Sequence, residues 1–95
     1  MGGMSFEQFV SVPVDVLVRE VSGESVLLNL SSETYFGLDH IGTRMWQLLT
    51  AGRSIRQAYE RLLEEYDVAP DTLCSDLSRL IEELVRHGLV ELRPA

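Results

Sequence analysis

The hydrophobic periodicity of this chain changes at Asp39, and that change limits the folds available to it. Before Asp39, apolar residues alternate with polar ones, which is the pattern of half-buried strands. After Asp39, apolar residues recur at the three- and four-residue spacing of amphipathic helices. Strands followed by helices place the chain in the α+β class, and its 95 residues are enough for one compact domain and too few for two.

Three segments before Asp39 have strand character and are separated by turn residues. Residues 14–21 and 25–30 flank a Ser-Gly-Glu turn and are expected to form a hairpin. The second of these segments has valine or leucine on both of its faces. Residues 34–38 follow a second polar turn, so we predict a three-stranded antiparallel sheet in which they form the last strand.

The first helix is expected over residues 40–51. Asp39 precedes it, and the short Asp39 carboxylate can accept hydrogen bonds from backbone amides of the first turn. Apolar residues, among them Ile41 and Trp46, recur at helical spacing and are assigned to the core, with Trp46 as the anchor. Gly52 stands just past the helix end, where a left-handed residue often follows.

Two further helices are predicted downstream. Ser54 and Gln57 have the spacing of a capping box, which predicts a second helix over residues 55–67. Pro70 fits the first turn of a third helix, because a proline there lacks only an amide that has no partner within the helix. The third helix ends before Gly88 and carries an apolar stripe wide enough to pack on two sides.

The two ends of the chain are expected to be less regular than the central domain. We expect residues 1–13 to be a flexible N-terminal segment and residues 14–93 to form the single domain. Residues 89–92 alternate weakly, which is compatible with a short strand or with an extended segment. The lone cysteine, Cys74, cannot form an internal disulfide, and the chain lacks any Cys/His ligand pattern, so we expect neither a metal site nor a cofactor.

The charge of the chain argues against nucleic acid as a partner. The chain has 15 acidic and 8 basic residues, all of the latter arginine, for a formal net charge of −7. Such a chain repels phosphate backbones and anionic membranes, and the helix that would read DNA in a winged helix is itself net acidic. We therefore expect neither nucleic acid nor a membrane as partner, and the lack of a signal-type or membrane-spanning segment predicts a cytoplasmic location.

The sequence lacks a catalytic constellation, so we expect no enzymatic activity. The two histidines, His40 and His87, lie at opposite ends of the helical region, and Cys74 has no histidine near it in sequence. The chain also lacks a Gly-rich phosphate loop and a nucleophile elbow. Two function classes stay open on these residues: an acidic winged-helix regulator that acts through protein contacts, and a small enzyme that uses Cys74.

The functional candidate is a groove between the third strand and the third helix. An edge strand has unpaired amides and carbonyls that an extended peptide can complete, while side chains beside it supply specificity. Periodicity and composition alone slightly favour the alternative that Tyr35 and Leu38 simply complete the core. The predicted peptide-binding residues are Thr34, Tyr35, Phe36, Gly37 and Leu38 on the strand, and Leu73, Asp76, Leu77, Arg79, Leu80 and Glu83 on the helix.

The order of these features resembles the PqqD family over about residues 14–92. The resemblance implies a winged-helix-like domain that binds the leader of a ribosomally synthesised precursor peptide as an added strand. On that resemblance, the backbone around Tyr35 and Gly37 meets the leader, while Phe36 and Leu38 hold the sheet to the helices. The residues that carry the resemblance are Val26-Leu27-Leu28-Asn29-Leu30, Tyr35-Phe36-Gly37-Leu38-Asp39, Gly42, Trp46-Gln47-Leu48-Leu49 and Leu84-Val85-Arg86-His87-Gly88-Leu89-Val90.

A domain of this length without a fused enzyme is similar to the recognition proteins of lasso-peptide gene clusters. The resemblance implies three partners: the precursor leader, a cysteine-protease-like leader peptidase and an ATP-dependent cyclase. The alternative within the family is a peptide chaperone of pyrroloquinoline quinone biosynthesis with a radical-SAM partner. The leader sequence, the modification that follows, the oligomeric state and the division of the third-helix leucines between groove and core stay open.

Overall fold

The computed structural model describes residues 4–95 of the chain. Strands β2, β3 and β4 form one antiparallel sheet in that order, and β1 pairs with β5 in a second sheet. The α+β class, with a three-stranded antiparallel sheet and three helices, is therefore confirmed. The elements are β1 (Phe9–Ser11), β2 (Val16–Val21), β3 (Glu24–Asn29), β4 (Thr34–Leu38), α1 (His40–Leu49), α2 (Ile55–Glu65), α3 (Pro70–Arg86) and β5 (Glu91–Arg93).

The turn between β2 and β3 determines which backbone groups of the sheet face each other. Both residues of the Ser22–Gly23 turn have positive φ, 56° and 84°, which is the pattern of a type I′ two-residue hairpin turn. Such a turn makes Val21 and Glu24 a hydrogen-bonded pair, after which bonded and non-bonded pairs alternate. The Leu30 amide donates to the Asp15 carbonyl at 2.9 Å, which agrees with this alternation.

The core lies between the three-stranded sheet and the helices. Leu27 of β3 and Leu38 of β4 are buried on the helix side of the sheet. Ile41 was expected in the core but is 47% exposed, because it lies in the first turn of α1 beside an open cleft between β4 and α3. The helices bury Met45, Trp46, Leu48 and Leu49 of α1, Ile55, Ala58 and Leu62 of α2, and Leu73, Leu77, Ile81 and Leu84 of α3.

The predicted helix starts agree with the structure. The Asp39 carboxylate accepts from the Gly42 amide at 2.8 Å. Ser54 and Gln57 form the reciprocal bonds of a capping box, and Pro70 is the first residue of α3. The first two helices end two residues earlier than predicted. Within residues 4–95, none of the helices has the length and apolar character needed to cross a membrane.

The N-terminal segment contributes to the fold, which differs from the expectation that residues 1–13 lie outside the domain. Residues 1–3 lie outside the described part of the chain, but the Gln8 and Phe6 carbonyls accept from the Ile55 and Arg56 amides at 3.0 and 2.8 Å. These amides belong to the first turn of α2 and have no partner within that helix. A three-residue strand is too short for periodicity to reveal, and its partner β5 is distant in sequence.

Candidate functional site

Strand β4 is an edge of the three-stranded sheet, and two of its residues direct their backbone groups away from the sheet. Alternate residues of β3, beginning with Ser25, point their amides and carbonyls toward β4. Their partners are the first, third and fifth residues of β4. Tyr35 and Gly37 therefore point their N–H and C=O groups outward. In the part of the chain that the structure describes, no strand pairs with this edge.

The side chains of β4 divide between two faces. Leu38 is buried and Phe36 is half-buried against the core, with its ring centroid 5.4 Å from that of His87. Tyr35 is 71% exposed on the opposite, outer face of the sheet, where Gly37 also lies. Thr34 is at the far end of the strand, where its hydroxyl bonds that of Ser32 at 2.8 Å. Most of β4 thus has one side on the core and the other toward solvent.

A cleft of about 470 Å³ runs along β4 between the strand and two helices. Its apolar wall includes Phe36 on the strand side and Leu80 of α3 opposite. Asp39 and Asp76, both exposed, place two carboxylates at its border. We call this the β4 cleft, and its lining residues are Phe36, Gly37, Leu38, Asp39, Ile41, Gly42, Met45, Asp76 and Leu80.

The structure separates the helix-side candidates into core residues and surface residues. Leu77 is fully buried and Leu73 nearly so, since both face the other helices, and neither lines the β4 cleft. Asp76 and Leu80 do line it. Arg79 lies beside this pair, and its Nη1 is 3.4 Å from a carboxylate oxygen of Asp76.

Glu83 lies in the next turn of α3 and forms its contacts with residues at the end of the same helix. Its carboxylate accepts from Arg86, and its backbone carbonyl is 2.8 Å from Nδ1 of His87. Glu83 does not line the β4 cleft. The His87 ring that it positions packs against Phe36, so Glu83 supports one wall of the groove through a neighbour.

Three residues of α1 that were not among the predicted peptide-binding residues also line the β4 cleft. Ile41, Gly42 and Met45 come from the first and second turns of the helix. Ile41 was predicted to lie in the core, because helical spacing shows that a residue lies on an apolar stripe but not where that stripe ends. The available signal was position: Ile41 follows β4 closely, so it stays near the strand edge.

The described residues show no grouping typical of catalysis or metal binding. Residues 4–95 contain no cluster of three or more His, Cys, Asp or Glu side chains placed to hold a metal ion. Cys74 is a free thiol of intermediate exposure on α3. The β4 cleft offers outward backbone groups beside it, apolar walls and two carboxylates.

Comparison with known proteins agrees with this geometry. Residues 24–90 match the PqqD family, described as coenzyme PQQ synthesis protein D. A solved structure of TbiB1 in complex with the TbiA(β) leader peptide is 33% identical, with a TM-score of 0.80 over 85% of this chain and 94% of that chain.

A second solved structure, lasso peptide synthetase B1 complexed with the leader peptide, has the same fold. It is 23% identical, with a TM-score of 0.78 over 86% of this chain and 96% of that chain. A search of curated proteins gave no match. The family match spans more than half of the sequence and is joined by a structural relative of similar length, so this chain belongs to the PqqD family.

Proposed function

We propose that this protein is a non-catalytic recognition protein that captures the leader of a ribosomally synthesised precursor peptide and presents it to a processing enzyme. The observation that carries the proposal is the outward-facing backbone of Tyr35 and Gly37 beside the β4 cleft. An extended peptide can bond to these groups as a fourth strand and place alternate side chains in the cleft. The two similar solved structures are both described as complexes with a leader peptide.

The two edges of the sheet do not offer the same site, which favours β4 for capture. On the β2 edge, the Val16 amide already donates to the Pro13 carbonyl at 3.1 Å. The outward residues of the β4 edge, Tyr35 and Gly37, have an apolar cleft directly beside them. An incoming strand therefore gains both backbone bonds and side-chain burial at β4.

Side chains rather than backbone bonds decide the affinity of such a complex. Each backbone hydrogen bond contributes about 0.5 to 1.5 kcal/mol net, and burial of a leucine-sized side chain contributes about 1.5 to 3 kcal/mol. Ordering a flexible peptide offsets several kcal/mol of this gain. We infer that the backbone bonds at Tyr35 and Gly37 set the register of the leader, while the β4 cleft with Ile41 and Leu80 selects its sequence.

The proposal extends to a lasso-peptide pathway in the cytoplasm. Its support is that both similar structures are complexes with a leader peptide and that one of them is described as a lasso peptide synthetase B1. The protein would then hand the precursor to a cysteine-protease-like leader peptidase and work beside a cyclase, raising the effective substrate concentration without changing the chemistry. The family description favours one other candidate, capture of the peptide precursor of pyrroloquinoline quinone.

The direct test is a titration with the leader peptide encoded beside this protein's gene. The leader is synthesised with a fluorescein label and its polarisation is followed as the protein is added. Saturable binding is expected. A leader that shows no saturation up to high micromolar protein contradicts the proposed function.

Strand addition at β4 is tested separately by Gly37→Pro. Proline removes the outward amide of residue 37 and leaves the β3–β4 bonds in place, so we expect a folded variant that binds leader about tenfold more weakly. The matched control is Val18→Pro, which removes an outward amide on the opposite edge of the same sheet. Circular dichroism confirms folding, and unchanged leader affinity in folded Gly37→Pro contradicts strand addition at this residue.

A further inference from the structure

Nothing within the chain's own fold requires a glycine at position 37. Its φ does not lie in the left-handed region, where the described glycines are Gly23, Gly52 and Gly88. A Cβ built on Gly37 meets no atom within 4 Å. Glycine weakens a strand because it loses more backbone entropy on folding and contributes no side chain, and in strands it often marks a close approach of another backbone or ligand. Because nothing in the fold requires glycine here, its presence points to something that approaches β4 from outside.

The missing side chain leaves a gap on the outer face of the sheet. Gly37 pairs with Val26 of β3, which is 45% exposed as a result. The adjacent cross-strand row consists of Leu17, Leu28 and Tyr35, and these residues line a depression of about 430 Å³ together with Val26. The row of Gly37 itself continues through Val26 to the exposed Arg19 of β2, so an apolar row lies on one side of the gap and a charged residue stands at its end; we call these surroundings the Gly37 site.

The geometry of an added strand places one side chain over this site. Residues directly opposite each other in an antiparallel pair project their side chains on the same face. Gly37 lies on the outer face, because its neighbours Phe36 and Leu38 face the helices. The residue of a captured peptide that pairs with Gly37 therefore projects away from the β4 cleft and toward Val26. Packing of a bulky side chain across an edge glycine is a known way to stabilise a strand.

We propose, on the basis of the function proposed above, that the Gly37 site is a second specificity pocket that accepts a large apolar or aromatic side chain of the leader. This side chain lies over Gly37 and packs against Val26 and Tyr35. Leader recognition then uses both faces of the added strand: one set of side chains enters the β4 cleft, and the residue paired with Gly37 covers the outer face.

The test compares Gly37→Val with the wild-type protein in leader binding and in stability. Valine adds bulk where the peptide side chain would lie, so leader affinity is expected to fall by about tenfold or more. The melting temperature is expected to stay the same or rise, because a Cβ here is unhindered and valine favours strands. The matched control is Glu91→Val, which adds a valine at an exposed position of β5 in the other sheet, with wild-type affinity expected.

An alanine scan of the leader against both proteins identifies the residue that fills the site. One leader position is expected whose truncation weakens binding to wild-type protein by about tenfold but has little further effect on Gly37→Val, since the two changes remove the same contact. Gly37→Ala adds a single carbon and is expected to give an intermediate loss, which keeps the test valid even where Gly37→Val does not fold.

The outcomes separate this inference from the proposed function. A leader that fails to bind wild-type protein overturns both. A leader that binds wild-type protein and Gly37→Val or Gly37→Ala equally well overturns the Gly37 site and leaves leader capture standing, as does a scan in which no leader position is coupled to residue 37.

Discussion

Asn29 is a buried polar residue whose hydrogen bonds join the sheet to the end of α3. It is 8% exposed, and its Nδ2 donates to the Gly88 carbonyl at 2.8 Å. Its Oδ1 accepts from the Ser31 and Ser32 amides at 2.9 and 3.2 Å. One side chain therefore orders the turn that leads into β4 and fixes that turn to the chain segment following α3.

Asn29→Ala is expected to lower the free energy of unfolding by about 2 kcal/mol, because it leaves a carbonyl and two amides without their partner in a partly buried place. Urea unfolding followed by circular dichroism measures the change. Leu30→Ala, at the next and exposed position of the same turn, is the control and should change stability by less than about 0.5 kcal/mol. A loss in Asn29→Ala no larger than in the control contradicts this role.

Helices α1 and α2 are linked by a bidentate ion pair between Arg44 and Glu65. Arg44 Nε and Nη2 donate to the two Glu65 oxygens at 2.8 and 2.6 Å, and Arg61 Nε adds a third bond at 3.0 Å. The hydrogen bonds from Arg44, followed by that from Arg61, lower the pKa of Glu65 from 4.5 to about 2. This cluster lies outside the β4 cleft, so it contributes to stability and not to peptide binding.

The lowered pKa of Glu65 predicts a pH dependence of stability. A carboxyl whose pKa is lower in the folded state stabilises the protein above its unfolded pKa of 4.5, and this contribution is lost as the pH falls toward about 2. Glu65→Gln should therefore be less stable than wild type at neutral pH, with the difference shrinking through that window.

The measurement is urea unfolding at a series of pH values, and Glu64→Gln is the control. Glu64 lies 3.8 Å from Arg61 but makes no contact with Arg44, so its substitution preserves the bidentate pair. The same pH profile in Glu65→Gln and wild type contradicts the assigned role of the Arg44–Glu65 pair.

Helix α3 shows which features of a single helix its hydrophobic periodicity can predict and which it cannot. Its apolar stripe was predicted, and Leu73 and Leu77 lie in the buried centre of that stripe. Leu80 lies at its border and lines the β4 cleft, whereas Val85 is exposed at its other side. Spacing shows that these residues share a face, but the position of the neighbouring elements decides which of them a ligand can reach.

At the scale of the whole molecule, β1 and β5 connect the two ends of the chain. Val10 of β1 pairs with Leu92 of β5 and belongs to the core. The isolated bridge between Phe9 and Ser54 brings the same segment to the start of α2. The N-terminal segment thus packs against both β5 and the start of α2.

Val10→Ala is expected to reduce the free energy of unfolding by about 2 kcal/mol through lost burial and the cavity that remains. Val12→Ala is the matched control, since Val12 is 36% exposed and Val10 only 9%. Thermal unfolding compares the two variants, and leader binding by folded Val10→Ala should equal that of wild type. Equal stability of the two variants shows that residues 9–11 do not contribute to the folded domain.

The sequence was enough to predict the order of strands β2 to β4 and of the three helices, the helix starts at Asp39, Ser54 and Pro70, and the alternation of side chains in β4. These features depend on hydrogen bonds and steric preferences within a few residues, so local patterns reveal them. The resemblance to the PqqD family was also visible in the sequence, because it depends on the order of the quoted motifs along the chain. Tertiary structure decided that Leu27 rather than Val26 faces the core, that Phe9–Ser11 is a strand and that Ile41 lines a cleft. Each of these depends on contacts between segments far apart in sequence, which no local pattern contains.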